Sequence, residues 1–480
     1  MSSGGSRSST PRSASVVDSP AAAGYDGVCE AVPDLKTVKK YYNLCDPKES
    51  LKPDDARNED LDVRGPDGSF VRGLRWVDRL ARRITLADKP VQCWFTGLPG
   101  SGKSTELLRL AALLGAEANG RYLTVIADAD DLIDLSSEID VPDIIVALLY
   151  ATERAVLVAE GKDPEDALKD GAGRRLWNWL SRTDVTLGGA EVGLEGSGMS
   201  GKLAIELKTR LTARQRVRSV VASHLSAFLA EVRGEFESLQ QRVKKRGHAG
   251  LVVILDSLEK LQGMSTTFQS VLASAEAVFT RGAPYLELPV HTIYTVPPAL
   301  IARVRLDDLW FIPMIKLADR SGTAFEPGYM AARRLIERRI PPALLADLFG
   351  APNVDLRLRQ VIAWSGGYPR DIIRMLRSFL DESLDGPISE GPLRRVLQRQ
   401  SETIRQTVPD YAFPWLAEVA LGKRLPLANE EQRQVTGRML QNNLVMRYQN
   451  DEGWFDLHPA VASMSEIQRA VETARATWPS

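Results

Sequence analysis

Residues 91–105 read VQCWFTGLPGSGKST, and this stretch decides the fold. The mostly apolar run Val91 to Phe95 reads as a buried strand. Gly97-Leu-Pro-Gly-Ser-Gly-Lys-Ser104 then matches G-x-x-x-x-G-K-[ST] in full, and Thr105 to Leu114 reads as a helix. Strand, glycine-rich loop and helix in that order are what a phosphate-cradling loop requires. Gly97, Gly100 and Gly102 let the backbone wrap an anion without Cβ clashes. The wall running through Leu98, Pro99 and Ser101 to Thr105 would present its backbone N–H groups, Pro99 excepted, and a helix N-terminus to it. Lys103 supplies a point charge for the β- and γ-phosphates. The Ser104 hydroxyl is placed to ligate Mg²⁺.

Working outward, 480 residues suggest roughly two to four domains. A net charge of −1 gives no global pull toward nucleic acid or an acidic membrane surface. Cys29, Cys45 and Cys93 form neither metal spacing nor a paired framework, which fits a reducing cytoplasm. No apolar run reaches membrane-span length, and the N-terminus lacks a signal peptide's apolar segment. The expectation is a cytoplasmic protein with no membrane partner. Residues 1–24 are Ser/Gly/Pro/Ala-rich and are expected to be disordered. Residues 25–85 read as an arm ending in an amphipathic helix, Phe70 to Ile84, with Leu74, Val77, Leu80 and Ile84 on one face.

The core is expected over residues 86–326. Tyr122 to Ala127 is a second strand, ending in Asp128-Ala-Asp-Asp131, and Val141 to Val158 a helix. Lys103 and the next core acid, Asp256, lie 153 residues apart, so an insertion is expected at 160–247. Within it Gly196 to Lys202 repeats G-x-x-x-x-G-K, but Leu203 replaces the hydroxyl. The preceding Asp184 to Leu194 alternates like a surface hairpin, so no second site is expected there. From Leu203 to Val243 one long helix is predicted. It has an apolar stripe (Leu207, Leu211, Val217, Val221, Leu225, Phe228, Val232) and a basic face that includes Lys208, Arg214, Arg218, Arg242 and Arg246.

Leu251-Val-Val-Ile-Leu-Asp256 reads as a strand buried on both faces and ending in an acid. Asp256 can hold Mg²⁺ opposite Ser104. Glu259 is the candidate for orienting or deprotonating an attacking water, so Lys103, Asp256 and Glu259 form the catalytic set. Leu288 to Val296 is a further strand, with Thr295 at its tip as a possible γ-phosphate sensor or a plain strand end. Arg281, Arg303 and Arg305 are candidates for reaching a neighbouring subunit's nucleotide. An all-helical lid is expected over 327–387. There Ser365-Gly-Gly-Tyr-Pro-Arg370-Asp opens a helix whose first turn carries Arg370, either a phosphate clamp or a surface arginine. From 388 to 480, helices precede two alternating strands around Asn450 to Gly453, the pattern of a winged helix. From Ile388 onward 11 Arg/Lys balance 11 Asp/Glu, which favours protein packing over DNA reading. His224, His248, His291 and His458 show no ligand spacing.

These motifs together resemble AAA+ ATPases of the initiator-like and STAND (signal-transduction ATPase) branch. The resemblance spans roughly residues 70–480 without most of 160–247. Gly367-Tyr-Pro369 looks like the Gly-x-Pro motif of STAND lids and sets Arg370 at a sensor-2 position. What it implies is an α/β parallel-sheet P-loop core with a helical lid and a C-terminal winged helix. It also implies ATP and Mg²⁺ as cofactors, slow or regulated hydrolysis, and assembly with itself or a partner protein as output. Many ATPases of this plan place Glu directly after the Asp; here Ser257 stands there, which puts the hydrolytic rate in question. The leading expectation is an ATPase switch. The alternatives are a DNA-associated loader or transposition-type regulator, and an adaptor that binds ATP with little hydrolysis.

Overall fold

Five parallel strands form the central sheet: β1 (Gln92–Gly97), β2 (Leu123–Asp128), β3 (Leu251–Asp256), β4 (His291–Thr295) and β5 (Leu309–Ile312). Their order across the sheet is β2-β3-β4-β1-β5. The computed structural model describes residues 33–66, 68–164, 171–183, 206–261, 267–450 and 452–478. The tail at 1–24, the hairpin at Asp184–Leu194 and the second glycine–lysine match at Gly196–Lys202 lie outside them.

Every residue of β3 is buried because both sheet faces are covered. Its side chains alternate between two cores. Leu251, Val253 and Leu255 join the core under helix Val141–Ala159, while Val252 and Ile254 meet helices Trp76–Leu86 and Lys103–Gly115. β5 was not expected from the sequence. It is four residues long, a run too short to carry a period of its own, and it pairs with β1 at the sheet edge.

Two helix expectations are corrected. The helix expected from Phe70 begins only at Trp76, because Gly73 sits in the left-handed region (φ +79°) and Asp62 accepts from Trp76 N at 3.0 Å, fixing the start. The single helix expected over Leu203–Val243 is instead broken at His224 (φ −133°, ψ 33°) into Leu211–Ser223 and Leu225–Lys245. A straight 41-residue helix would run about 60 Å, far beyond the sheet it must cover. Broken, both halves lie on helix Val141–Ala159. Val217, Val221, Phe228 and Val232 enter the chain's own core, and Leu211 is left exposed. The basic face is spent inward as well. Arg214 pairs with Asp134, Arg218 with Asp143 and Arg242 with Glu160; Lys208 and Arg246 donate to backbone carbonyls of the core.

The lid comprises helices Glu326–Glu337, Pro342–Phe349, Val354–Ser365 and Pro369–Glu382. Val38, Cys45, Leu61 and Val71 of the arm share its core. The winged helix follows, with helices Glu390–Arg405, Phe413–Gly422 and Glu430–Gln441, then the antiparallel pair β6 (Val445–Gln449) and β7 (Gly453–Leu457) and helix Ser465–Arg475. Its core includes Leu98 of the glycine-rich loop together with Phe311, Met314 and Tyr368, so the winged helix is docked on the end of the sheet that carries this loop. No helix among the described residues is long and apolar enough to cross a membrane.

Candidate functional site

The loop after β1 turns into helix Lys103–Gly115 with Gly102 as N-cap in the left-handed region (φ +95°) and open space in front of it. Gly100 is also left-handed (φ +89°). A Cβ there would lie 2.6 Å from Arg370 Nε and 2.7 Å from the Tyr368 hydroxyl, so only glycine permits the lid to approach this closely. The site falls at the carboxyl ends of the strands, where open α/β sheets bind ligands.

Lys103 is buried. Its ammonium donates to Gly97 O (3.0 Å) and Leu98 O (3.3 Å) and pairs with Glu259 Oε1 at 3.2 Å. The Ser104 side chain lies beside Asp256, at the tip of β3, and offsets part of the effect of burial on its carboxyl. Burial, then the neighbouring Glu259 carboxylate, push the Asp256 carboxyl above its ordinary range. Two buried carboxylates thus face one ammonium. The second oxygen of Glu259 and the Ser101 hydroxyl are buried without a hydrogen-bond partner.

Thr295 is fully buried. Its hydroxyl donates to Leu255 O (3.1 Å) and accepts from Leu258 N (3.0 Å). It therefore fixes the chain between Asp256 and Glu259 and does not line the cleft. Arg370 does line it, donating from Nε to Pro47 O at 3.1 Å; among the described residues no carboxylate forms an ion pair with it. Of the three arginines considered for a neighbouring subunit, Arg303 is used internally, with Glu276 at 2.6 Å and Glu430 at 3.7 Å. Arg281 and Arg305 are exposed and outside the cleft.

The cleft, about 780 Å³ including its open mouth, lies between the loop, the lid and the arm. Arm residues Pro47 to Leu51 and Arg57 to Glu59, and lid residues Leu335 and Arg339, line it, and sequence reasoning missed all of them. Their nearest signal was the Asp46-Pro47 turn. Thr105 ties the arm down by accepting from Leu51 N at 3.3 Å. Two more residues escaped notice. Tyr368 donates its hydroxyl to Pro99 O, and Asn443 of the winged helix donates to Pro99 O (3.2 Å) and to the Tyr368 oxygen (2.9 Å).

The donor set fits a nucleotide with Mg²⁺. A hydroxyl and a carboxylate meet at one point, and hard oxygen ligands of this kind suit an ion that completes its shell with phosphates and water. No group of three or more metal-ligating side chains exists among the described residues, so no all-protein metal cage competes with that arrangement.

The sequence matches no protein-family model and no curated protein. Solved structures match the chain at low identity and low structural similarity. The Aeropyrum pernix ORC2 protein, in ADPNP and ADP complexes, is 12% identical, with 89% of this chain and 100% of that chain covered and a TM-score of 0.35. Cdc6p from Pyrobaculum aerophilum is 11% identical, covering 90% and 98%, with a TM-score of 0.35. Drosophila ORC bound to DNA is 12% identical, covering 96% of each chain, with a TM-score of 0.34.

Proposed function

We propose that this chain is an ATP-binding and ATP-hydrolysing switch of the AAA+/STAND kind, in which nucleotide state sets the position of lid and winged helix. The observation that carries it is the junction at Pro99, where one carbonyl of the glycine-rich loop is held by Tyr368 of the lid and Asn443 of the winged helix. A change in the loop is felt by both.

Lys103 and the N–H groups at the start of its helix would bind the β- and γ-phosphates. Ser104 and Asp256 would hold Mg²⁺, which supplies charge neutralisation. All three donors of the Lys103 ammonium are engaged. Engaging a phosphate therefore displaces one partner, and Glu259 is the one that can leave as a solvated or water-binding carboxylate. Binding thus frees the general base. Arg370, already against Gly100, would bond the γ-phosphate in the triphosphate state, giving the differential affinity that any ligand-driven shift needs.

The test pairs Lys103→Ala with Arg370→Ala. Loss of nucleotide binding in the first, and loss of ATP-over-ADP preference in the second, are expected; unchanged affinity in both sinks the reading. Mass measurement with ADP and with a non-hydrolysable ATP analogue checks assembly.

A second reading is a DNA-associated ATPase. Its motivation is the winged-helix topology, in which helix Glu430–Gln441 precedes the hairpin as a recognition helix does. That helix packs on Pro298–Ala302 and opens with Glu430 and Glu431, so duplex binding would need undocking and other cations. Duplex affinity that falls steeply with salt would favour it, and a flat response would remove it. An ATP-stabilised adaptor with little hydrolysis is distinguished by turnover unchanged in Glu259→Gln.

A further inference from the structure

We propose that Gln441, on the winged helix, is a positioning residue for Glu259, so that hydrolysis requires the winged helix to be docked. This rests on the ATPase reading above. Glu259 lies in a single 3-10 turn, Leu258–Lys260, which follows Ser257 in the left-handed region (φ +69°). A non-glycine residue there is costly, and so short a turn holds its shape only if its surroundings impose it.

Two side chains impose it. Thr295 accepts from Leu258 N at 3.0 Å at the start of the turn. Gln441 donates from Nε2 to the Glu259 carbonyl at 2.9 Å, from a buried position at the end of helix Glu430–Gln441. The first clamp belongs to the sheet and stays with it. The second belongs to the winged helix and departs if that helix lifts from Pro298–Ala302.

Two residues further on, Asn443 holds Pro99 O. One turn of the winged helix therefore touches both halves of the site, the phosphate loop and the carboxylate that would activate water. Once Glu259 is released from Lys103, its aim depends on the backbone that Gln441 holds. Undocking would leave nucleotide bound by Lys103, Ser104 and Asp256 but the carboxylate misaimed, so a released triphosphate state would persist until the helix docks again.

The experiment compares ATP turnover by the full chain with Gln441→Met, of similar length but without a donor, and with Gln441→His, which keeps a ring N–H. Small misplacements of a reacting group cost up to about a hundredfold. The expected result for Gln441→Met is a fall in kcat of about tenfold to a hundredfold, with KM and the affinity for a non-hydrolysable analogue within about twofold. Gln441→His is expected to recover part of that loss. An unchanged or raised kcat in Gln441→Met overturns the proposal, as does a loss matched by equal loss of affinity.

Gly437→Leu gives a second route, because a Cβ at Gly437 already lies 3.4 Å from Ala299 and a larger side chain would wedge the helix away. The same kcat-selective loss is expected. Absence of turnover in the unmodified chain would overturn the ATPase reading itself. Turnover intact and indifferent to Gln441→Met overturns the positioning role alone.

Discussion

Two buried charge clusters lie along the helix Lys103–Gly115, and they are built differently. In one, Arg72 donates to Asp62 (2.8 and 3.0 Å) and to Glu106, and Arg109 pairs with Glu106 (3.0 Å) and Asp60 (3.1 Å). The two deeply buried carboxylates, Asp62 and Glu106, are each met by a guanidinium, and the cluster bolts the arm to the helix. In the other, Asp256 and Glu259 face only Lys103, one Glu259 oxygen has no partner, and the Asp256 carboxyl is pushed up. The first cluster sets two guanidiniums against its two buried carboxylates and the exposed Asp60, although burial pushes the Asp62 carboxyl up as well and Arg72 Nη1 has no hydrogen-bond partner. The second sets two buried carboxylates against one ammonium, an imbalance that the proposed Mg²⁺–nucleotide would relieve.

The sharpest way to break this contrast is to remove one cation from each cluster. Arg72→Met should cost about 3–5 kcal/mol of stability in denaturant unfolding, because it strands Asp62 and leaves Glu106 with Arg109 alone. Lys103→Met also strands buried carboxylates, but beside an open cleft where water can reach Glu259, so it should cost less stability than Arg72→Met while lowering turnover more than about a hundredfold. Equal destabilisation by both would show that the two clusters do the same job.

A smaller effect comes from a buried group with no counter-charge. His291 Nδ1 accepts from Val91 N at 3.1 Å, so the ring is neutral with its proton on Nε2. Burial, then the nearby Lys244, lower its pKa from 6.5 to about 4. Because the folded value is depressed, the unfolded chain takes up the proton first as pH falls. Stability is full above about 6.5 and is lost between there and about 4, by up to about 3 kcal/mol. His291→Gln should flatten that part of a stability–pH curve, and an unaltered slope would assign it to other groups. The smallest effect is expected for Tyr368→Phe, which removes the hydroxyl bonded to Pro99. It should cost about 1 kcal/mol of stability and weaken the lid's response to ATP analogue, read as protease protection.

Much of the core was legible because local rules and tertiary context agree there. Gly97 to Ser104, the strand ending in Asp256, and the helix carrying Arg370 each have a motif whose spacing is set by backbone geometry. The cleft's other wall was not legible. Pro47 to Glu59 and Arg339 reach the loop only through folding of arm and lid, and no local period marks such residues. The helix break at His224 was hidden because the apolar steps of three and four continue across it, whereas the limited width of the sheet forces the turn.

Sequence by itself determined that a glycine-rich loop, an acid-tipped strand, a helical lid and a winged helix occur in this order, since each is a short-range pattern of glycines, charges or alternation. Only the tertiary structure decided which of their side chains meet. It placed Thr295 behind the site and turned the basic helices inward onto Asp134, Asp143 and Glu160. It also set Gln441 and Asn443 against Glu259 and Pro99, contacts that span 182 and 344 residues of chain. Pairings at such separations follow from how packed elements share a boundary, and the chain's local chemistry carries no trace of them.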